Sequence, residues 1–128
     1  MTAVNRLVIR AMISEPIYVK WKGAGGEAYC FELNPIGTPH RALPGVYIFC
    51  HFGALNALVA DYLDEVDDFS RRIGNDVGSH PHWEEIKAAG ATHVCTLHVP
   101  GKAAERVKIE ADLRRAVDPP QLGRAKAA

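Results

Sequence analysis

The chain lacks the features that mark secreted, membrane-spanning or strongly charged proteins. Its 128 residues carry 15 basic and 15 acidic side chains, so the formal net charge is 0. No apolar run approaches the roughly 20 residues that a membrane-spanning helix needs. The opening stretch, MTAVNRLVIRAMISEP, has no continuous apolar segment and no small-residue cleavage site, unlike a signal peptide. We therefore expect a single domain in the cytoplasm, with no membrane partner.

Cysteine is scarce and scattered. The three cysteines, Cys30, Cys50 and Cys95, are far apart in the chain, which predicts reduced thiols rather than disulfides. The sequence contains no CxxC or HxxxH pair that would support a closed zinc site. We therefore interpret four histidines as surface or half-buried residues rather than as zinc ligands; they are His80, His82, His93 and His98.

Charge is distributed unevenly although it sums to zero. Residues 1–45 have five basic and three acidic side chains, and residues 101–128 have seven basic and four acidic ones. The middle, residues 46–100, has three basic and eight acidic side chains and would repel a polyanion. Any phosphate-binding surface is therefore expected on the C-terminal helix and tail.

Hydrophobic alternation and turn residues predict a small sheet with helices. A β-hairpin is predicted over residues 17–33, with its loop at Gly23–Gly26. The other predicted elements are strands at Val46–Cys50, Ala57–Leu63 and Thr92–Val99, and helices at Asp67–Ile73, Trp83–Ala89 and Ala103–Val117. We expect an α/β (α+β) fold in which a small, mainly antiparallel sheet is flanked by helices.

Two of the predicted strands each carry a tyrosine, and strand alternation shows which side chains share its face. Because side chains alternate along a strand, Tyr47 shares a face with Phe49, and Tyr62 shares a face with Asp64. A helix-borne arginine, Arg72, follows them in the chain. Together these residues form an unusual polar cluster for so small a sheet.

The pattern resembles the GIY-YIG nuclease superfamily. Gly45-Val46-Tyr47 stands where that family has its first triplet, and Tyr62-Leu63-Asp64 stands where it has its second. Arg72, Glu110 and Pro119 follow at the family's spacing. The resemblance implies a GIY-YIG-like domain over residues 43–122. The N-terminal extension, residues 1–42, would contain the hairpin, whose strands can join the main sheet, and residues 123–128 would form a flexible tail.

The resemblance also implies a function and a role for each residue. The chain would be an endonuclease that hydrolyses phosphodiester bonds in DNA with the help of Mg²⁺ or Mn²⁺. Tyr47 would act as general base or position the attacking water, and Tyr62 would support it. Arg72 would bind the scissile phosphate, and either His80 or His82 would assist proton transfer.

Glu110 is the metal ligand that the resemblance implies. On a helical wheel it lies at the border of the apolar stripe that includes Ile109 and Leu113. Helical periodicity alone also permits an ordinary surface glutamate flanked by Arg106 and Arg114, each four residues away.

Two positions depart from the family pattern. Asp64 replaces the glycine of the second triplet, and Leu122 stands where the family has an asparagine after the proline. The Asp64 carboxylate could repel a phosphate or serve as a second metal ligand. The departures leave an alternative function open, a catalytically inactive module that binds nucleic acid or a protein partner.

Overall fold

The structure, a computed structural model, describes residues 15–74 and 76–117. The apolar run at residues 6–13, Pro119, Leu122 and the predicted tail at residues 123–128 lie outside the described residues. No helix of the described residues is long and apolar enough to cross a membrane.

The predicted N-terminal hairpin is present. Strand β1 (Ile17–Lys22) pairs with strand β2 (Ala28–Pro35) in antiparallel register, so that Trp21 faces Tyr29. The turn between them closes with a hydrogen bond from the Gly23 amide to the Glu27 carbonyl, 2.8 Å long. The β-formers that alternate on each side of a glycine-rich turn account for this hairpin.

The second hairpin is longer than the sequence predicted. Strand β3 (Gly45–Phe52) runs two residues past Cys50, and strand β4 (Leu58–Val66) continues past Leu63. The sequence predicts a connection centred on His51-Phe52-Gly53-Ala54, but His51 and Phe52 belong to β3. The chain instead turns at a 3-10 segment, Ala54–Asn56. Leu55 and Asn56 there have positive φ angles of 58° and 60°, which allow the tight reversal.

All five strands form one antiparallel sheet in the order β1-β2-β5-β3-β4. Strand β5 (His93–His98) lies between β2 and β3 and so joins the N-terminal hairpin to the rest of the sheet. The expected small antiparallel sheet flanked by helices is confirmed. Gly45 permits the close approach of β3 to its neighbours, because a Cβ there would collide with the Leu97 carbonyl and the Phe69 ring.

Helices cover both faces of the sheet. Helix α1 (Phe69–Arg72) begins after Asp68, whose carboxylate accepts a 2.9 Å hydrogen bond from the Ser70 amide. Helix α2 (Trp83–Ala88) packs on the face of the sheet that carries Phe49, and the Trp83 and Phe49 rings lie 6.2 Å apart. Helix α3 (Ala103–Val117) has the predicted bounds and packs on the opposite face, where Asp112 accepts a 2.8 Å hydrogen bond from the Tyr29 hydroxyl.

Candidate functional site

The strand register collects the predicted site residues on one face of the sheet. Tyr47 lies opposite Asp64, and Phe49 lies opposite Tyr62, on strands β3 and β4. Directly opposite side chains of an antiparallel pair point to the same face. The predicted face-sharing of Tyr47 with Phe49 and of Tyr62 with Asp64 is confirmed, and the structure adds that all four share one face.

The Tyr47 hydroxyl is held by His80. The Tyr47 Oη and His80 Nε2 atoms are 2.8 Å apart, and the His82 backbone N–H donates a 3.0 Å hydrogen bond to His80 Nδ1. Because Nδ1 accepts a hydrogen bond, the proton of a neutral imidazole must be on Nε2. His80 Nε2–H therefore donates to the Tyr47 oxygen, and the phenolic proton of Tyr47 points elsewhere.

The surroundings of His80 keep its ring neutral and fixed in orientation. Burial, helped by the charges of Arg72 and His82, lowers the pKa of His80 to about 4. Its ring stands edge-on to those of Tyr47 and Tyr62, with centroid distances of 5.9 and 5.1 Å. At neutral pH, His80 is thus a hydrogen-bond donor to Tyr47 and carries no charge.

Arg72 reaches the same cluster from the end of helix α1. Burial acts to lower the pKa of Arg72, but the Tyr47 hydroxyl and the Asp64 carboxylate beside it raise that pKa overall. The neighbouring Arg71 points away and pairs with Asp67 and Asp68, at 3.6 and 3.1 Å. The structure therefore distinguishes two adjacent arginines that the sequence alone could not.

Both tyrosines are neutral phenols at physiological pH. Burial and then Asp64 raise the pKa of Tyr47 well above its usual range, while Arg72 opposes the rise. Burial and Asp64 also raise the pKa of Tyr62. Tyr47 has no solvent-exposed surface, and only 6% of the Tyr62 surface is exposed. The accessible surface of the cluster consequently comes from Asp64, Arg72 and His82, which are half-buried or exposed.

Asp64 occupies the centre of this accessible surface. Its Oδ1 atom accepts a 2.8 Å hydrogen bond from the Glu65 amide, and its Oδ2 atom accepts a 3.2 Å hydrogen bond from the Tyr62 hydroxyl. Each carboxylate oxygen has a second lone pair, so these contacts leave room for another partner.

His80 and His82 differ in position, although the sequence left open which of them would belong to the site. His80 is 5% exposed and contacts the Tyr47 hydroxyl. His82 is exposed at the start of helix α2, and its ring centroid lies 5.3 Å from that of Tyr62. His80 is therefore inside the cluster, and His82 is at its rim.

Glu110 lies on helix α3, which packs on the opposite face of the sheet. Its carboxylate accepts hydrogen bonds from Arg114 Nε, at 2.8 Å, and from Arg114 Nη2. Arg114 also donates a 2.8 Å hydrogen bond to the Leu63 carbonyl of β4, which is an outer strand of the sheet. Arg114 acts to lower the pKa of Tyr62, so Arg114 connects Glu110 to the tyrosine cluster. The sequence showed the four-residue spacing of Glu110 and Arg114 but not this connection.

The described part of the chain contains no preformed metal-binding site. Within residues 15–74 and 76–117, no three histidine, cysteine, aspartate or glutamate side chains are grouped so that they could hold a metal ion. Magnesium commonly uses only one or two protein carboxylates, with water and phosphate oxygens completing its coordination.

The arginines of helix α3 are neutralised by carboxylates. Arg106 pairs with Glu65 at 2.9 Å, Arg115 pairs with Asp112 at 3.2 Å, and Arg114 pairs with Glu110. A paired guanidinium attracts phosphate less strongly than a free one. The phosphate-binding surface expected on this helix thus loses three of its positive charges.

Comparison with known proteins adds no relative. No family model, no curated protein and no solved structure matches this chain. The GIY-YIG resemblance stays a prediction from the motifs, and the functional reasoning rests on the geometry described above.

Proposed function

We propose that this protein is a metal-dependent endonuclease that hydrolyses phosphodiester bonds in DNA. The observation that supports the proposal most strongly is the convergence of polar groups on one hydroxyl. The Tyr47 oxygen accepts a hydrogen bond from His80, and Arg72 and Asp64 lie beside it. A phenol, a guanidinium and a carboxylate in one cluster suit hydrolysis of a phosphate ester.

Tyr47 would position the attacking water in this proposal. Its raised pKa keeps it protonated at neutral pH, so it orients water better than it removes a proton from it. His80 fixes the direction of the Tyr47 hydroxyl. Tyr62 supports the arrangement by stacking on Tyr47, with ring centroids 6.1 Å apart.

Arg72 would stabilise the phosphate during bond cleavage. A guanidinium presents a planar fork of donors that matches phosphate oxygens and stays charged at every physiological pH. Arg72 is only half-buried at the accessible side of the cluster, so its donors can meet an incoming phosphate there. Charge that develops on the phosphoryl oxygens would be neutralised where it forms.

We propose Asp64 as the carboxylate that would hold Mg²⁺ or Mn²⁺ in this cluster, with Glu110, on the helix of the opposite face, as a second candidate ligand. Asp64 fits because it lies on the accessible surface beside Arg72 and retains free lone pairs. Glu110 fits only after Arg114 releases it, because Arg114 now occupies its carboxylate. A bound cation would supply charge neutralisation at the scissile phosphate.

Two observations favour the alternative, a catalytically inactive module that binds nucleic acid or a protein. Asp64 lies close enough to Arg72 to raise its pKa, and without a cation this carboxylate would repel the phosphate that Arg72 attracts. Tyr47 has no exposed surface that a water molecule could contact. The nuclease requires a cation at Asp64 and movement of the side chains that cover Tyr47, whereas the inactive module requires neither.

We propose a cytoplasmic location for the enzyme, because three widely scattered cysteines predict reduced thiols. The Cys50 and Cys95 thiols are buried in the core, with their Sγ atoms 3.8 Å apart.

Cleavage of supercoiled plasmid DNA tests the proposed function. The wild-type protein should nick DNA in Mg²⁺ or Mn²⁺ and should stop when EDTA is added. Arg72→Ala should reduce the rate by about a hundredfold or more, as for loss of a group that stabilises the transition state. Arg71→Ala is the matched control, because Arg71 pairs with Asp67 and Asp68 outside the cluster. No cleavage by the wild-type protein, or equal losses in both variants, would refute the nuclease proposal.

A further inference from the structure

A concave site lies on the same face of the sheet as the Tyr47 cluster. It is a cleft of about 510 Å³ whose floor is formed by strands β1, β2 and β5. The segment that contains His40 and Arg41 forms one wall, and Phe69 forms another. Its volume is within the range of small-molecule and cofactor sites.

The strand register connects this cleft to the Tyr47 cluster. Tyr18 lies opposite Glu32, Glu32 lies opposite Thr96, and Thr96 lies opposite Tyr47. The row crosses three inter-strand spacings, or about 14 Å. A single nucleic-acid strand of a few nucleotides could therefore contact both the cleft and the cluster.

The floor of the cleft combines an aromatic surface with polar edges. Tyr18 is 59% exposed, although a large aromatic ring is usually more buried than this. Glu32 and Asn34 beside it supply both acceptors and donors, and they are joined by a long hydrogen bond of 3.4 Å. A nucleobase has a flat face for stacking and an edge that carries donors and acceptors, and this lining complements both.

His40, in the wall of the cleft, has a buried nitrogen without a hydrogen-bond partner. Among the described residues, His40 Nε2 is the buried side-chain nitrogen or oxygen atom that has no hydrogen-bond partner. A buried polar atom without a partner costs about 1–3 kcal/mol, so such atoms often have a functional explanation. Burial lowers the pKa of His40 against the opposing effect of Glu32. A neutral imidazole can exchange a hydrogen bond with a base edge.

Basic side chains lie in the wall of the cleft and along its edge strand. Arg41 is exposed on the wall, and Glu32 is the carboxylate of the lining, so these two charges of the lining balance. Lys20 and Lys22 lie outside the lining but alternate with Tyr18 along β1, so all three side chains point to the same face. Basic side chains interleaved with an aromatic one are typical of single-strand binding surfaces.

We propose that this cleft binds an unpaired nucleotide of a DNA strand, with the base stacked on Tyr18 and its edge bonded to His40 after the imidazole turns to expose Nε2. The choice of DNA as the ligand rests on the nuclease function proposed above. The cleft would hold the strand while a phosphate further along it lies at Arg72. The substrate would then be DNA with an unpaired segment, such as a flap, a bubble or a single strand.

Fluorescence anisotropy with a labelled, unpaired oligothymidylate of about ten nucleotides tests the proposal. The measurement uses the full chain in EDTA, so that binding is read without cleavage. Tyr18→Ala should raise the Kd at least about tenfold, the lower part of the range measured for loss of a base–aromatic stack. Ile17→Ala is the matched control, because Ile17 is 61% exposed on the same strand but points to the opposite face.

A second variant reports on His40. His40→Leu should also raise the Kd, yet it should not lower the free energy of unfolding, because it removes an unpartnered polar atom. A residue that served only the fold would show the reverse.

The outcomes separate this proposal from the nuclease function. If the protein cuts no DNA but binds the oligonucleotide in a Tyr18-dependent manner, the cleft proposal stands and the nuclease proposal falls. If the protein cuts DNA while Tyr18→Ala and Ile17→Ala bind equally well, the cleft proposal is overturned. Failure of the wild-type protein to bind the oligonucleotide would overturn it as well.

Discussion

Replacing His80 with glutamine should make the protein less sensitive to acid. His80 is 5% exposed, and its pKa in the folded protein is about 4, below the ordinary value of 6.5. When the pH falls through 6.5, the unfolded chain binds a proton on this histidine while the folded chain does not. Stability is therefore lost progressively as the pH falls from about 6.5 towards about 4.

The size of the effect follows from these two pKa values. At about pH 7 the difference contributes almost nothing, since the histidine is neutral in both states. At about pH 5 the unfolded chain is stabilised by about 2 kcal/mol through His80 alone. Glutamine can replace both hydrogen bonds of the ring, because its NH₂ group can donate to Tyr47 and its carbonyl can accept from the His82 amide. It does not titrate.

Urea unfolding of both proteins at about pH 7 and about pH 5 measures this difference. The wild-type protein should lose about 2 kcal/mol more than His80→Gln over this interval. Burial also lowers the pKa of His40, which makes the protein less stable in acid in the same way. Both proteins contain His40, so its contribution cancels in the comparison. Equal losses in the two proteins would refute the arrangement in which a neutral His80 donates to Tyr47.

Four further substitutions test the metal site and the fold. Asp64→Asn should weaken Mg²⁺ binding by about tenfold or more in calorimetric titration and should slow cleavage. Faster cleavage would show that Asp64 is disruptive instead; the gain could reach about a thousandfold if the removed charge lay about 4 Å from a phosphate. Arg114→Ala should strengthen Mg²⁺ binding by freeing Glu110, and the double variant with Glu110→Ala should lose this gain. An unchanged Mg²⁺ affinity in the single and the double variant would remove Glu110 from the metal site. Gly45→Ala should lower the free energy of unfolding by about 3 kcal/mol or more in urea, because its Cβ meets the Leu97 carbonyl; unchanged stability would contradict the close strand approach.

The elements of the fold could be predicted because their signals are local. Helix α3 has the predicted bounds of Ala103–Val117, since its stripe and its breakers lie in the same short stretch. The face shared by Tyr62 and Asp64 follows from strand alternation alone. The extension of β3 through Phe52 was missed because the turn depends on positive φ angles at Leu55 and Asn56; asparagine favours such angles, but leucine does not signal them.

The contacts of the candidate site depend on the tertiary structure. Adjacent arginines point about 100° apart on a helix, and only the position of α1 on the sheet decides that Arg72 rather than Arg71 reaches Tyr47. The choice between His80 and His82 depends in the same way on the path of the chain after α1. The pairing of β2 with β5, which creates the cleft around Tyr18, joins segments roughly 60 residues apart and leaves no local signal.

Single-turnover cleavage of DNA by Tyr47→Phe addresses the proposed role of the Tyr47 hydroxyl. The substitution removes one oxygen atom and retains the ring that stacks on Tyr62. We predict cleavage at least about a hundredfold slower than that of the wild-type protein in Mg²⁺, at a temperature where both are folded. Tyr29→Phe, whose hydroxyl donates to Asp112 on the opposite face, should cleave at the wild-type rate. Cleavage by Tyr47→Phe at the wild-type rate would contradict the assignment of the active site to this cluster.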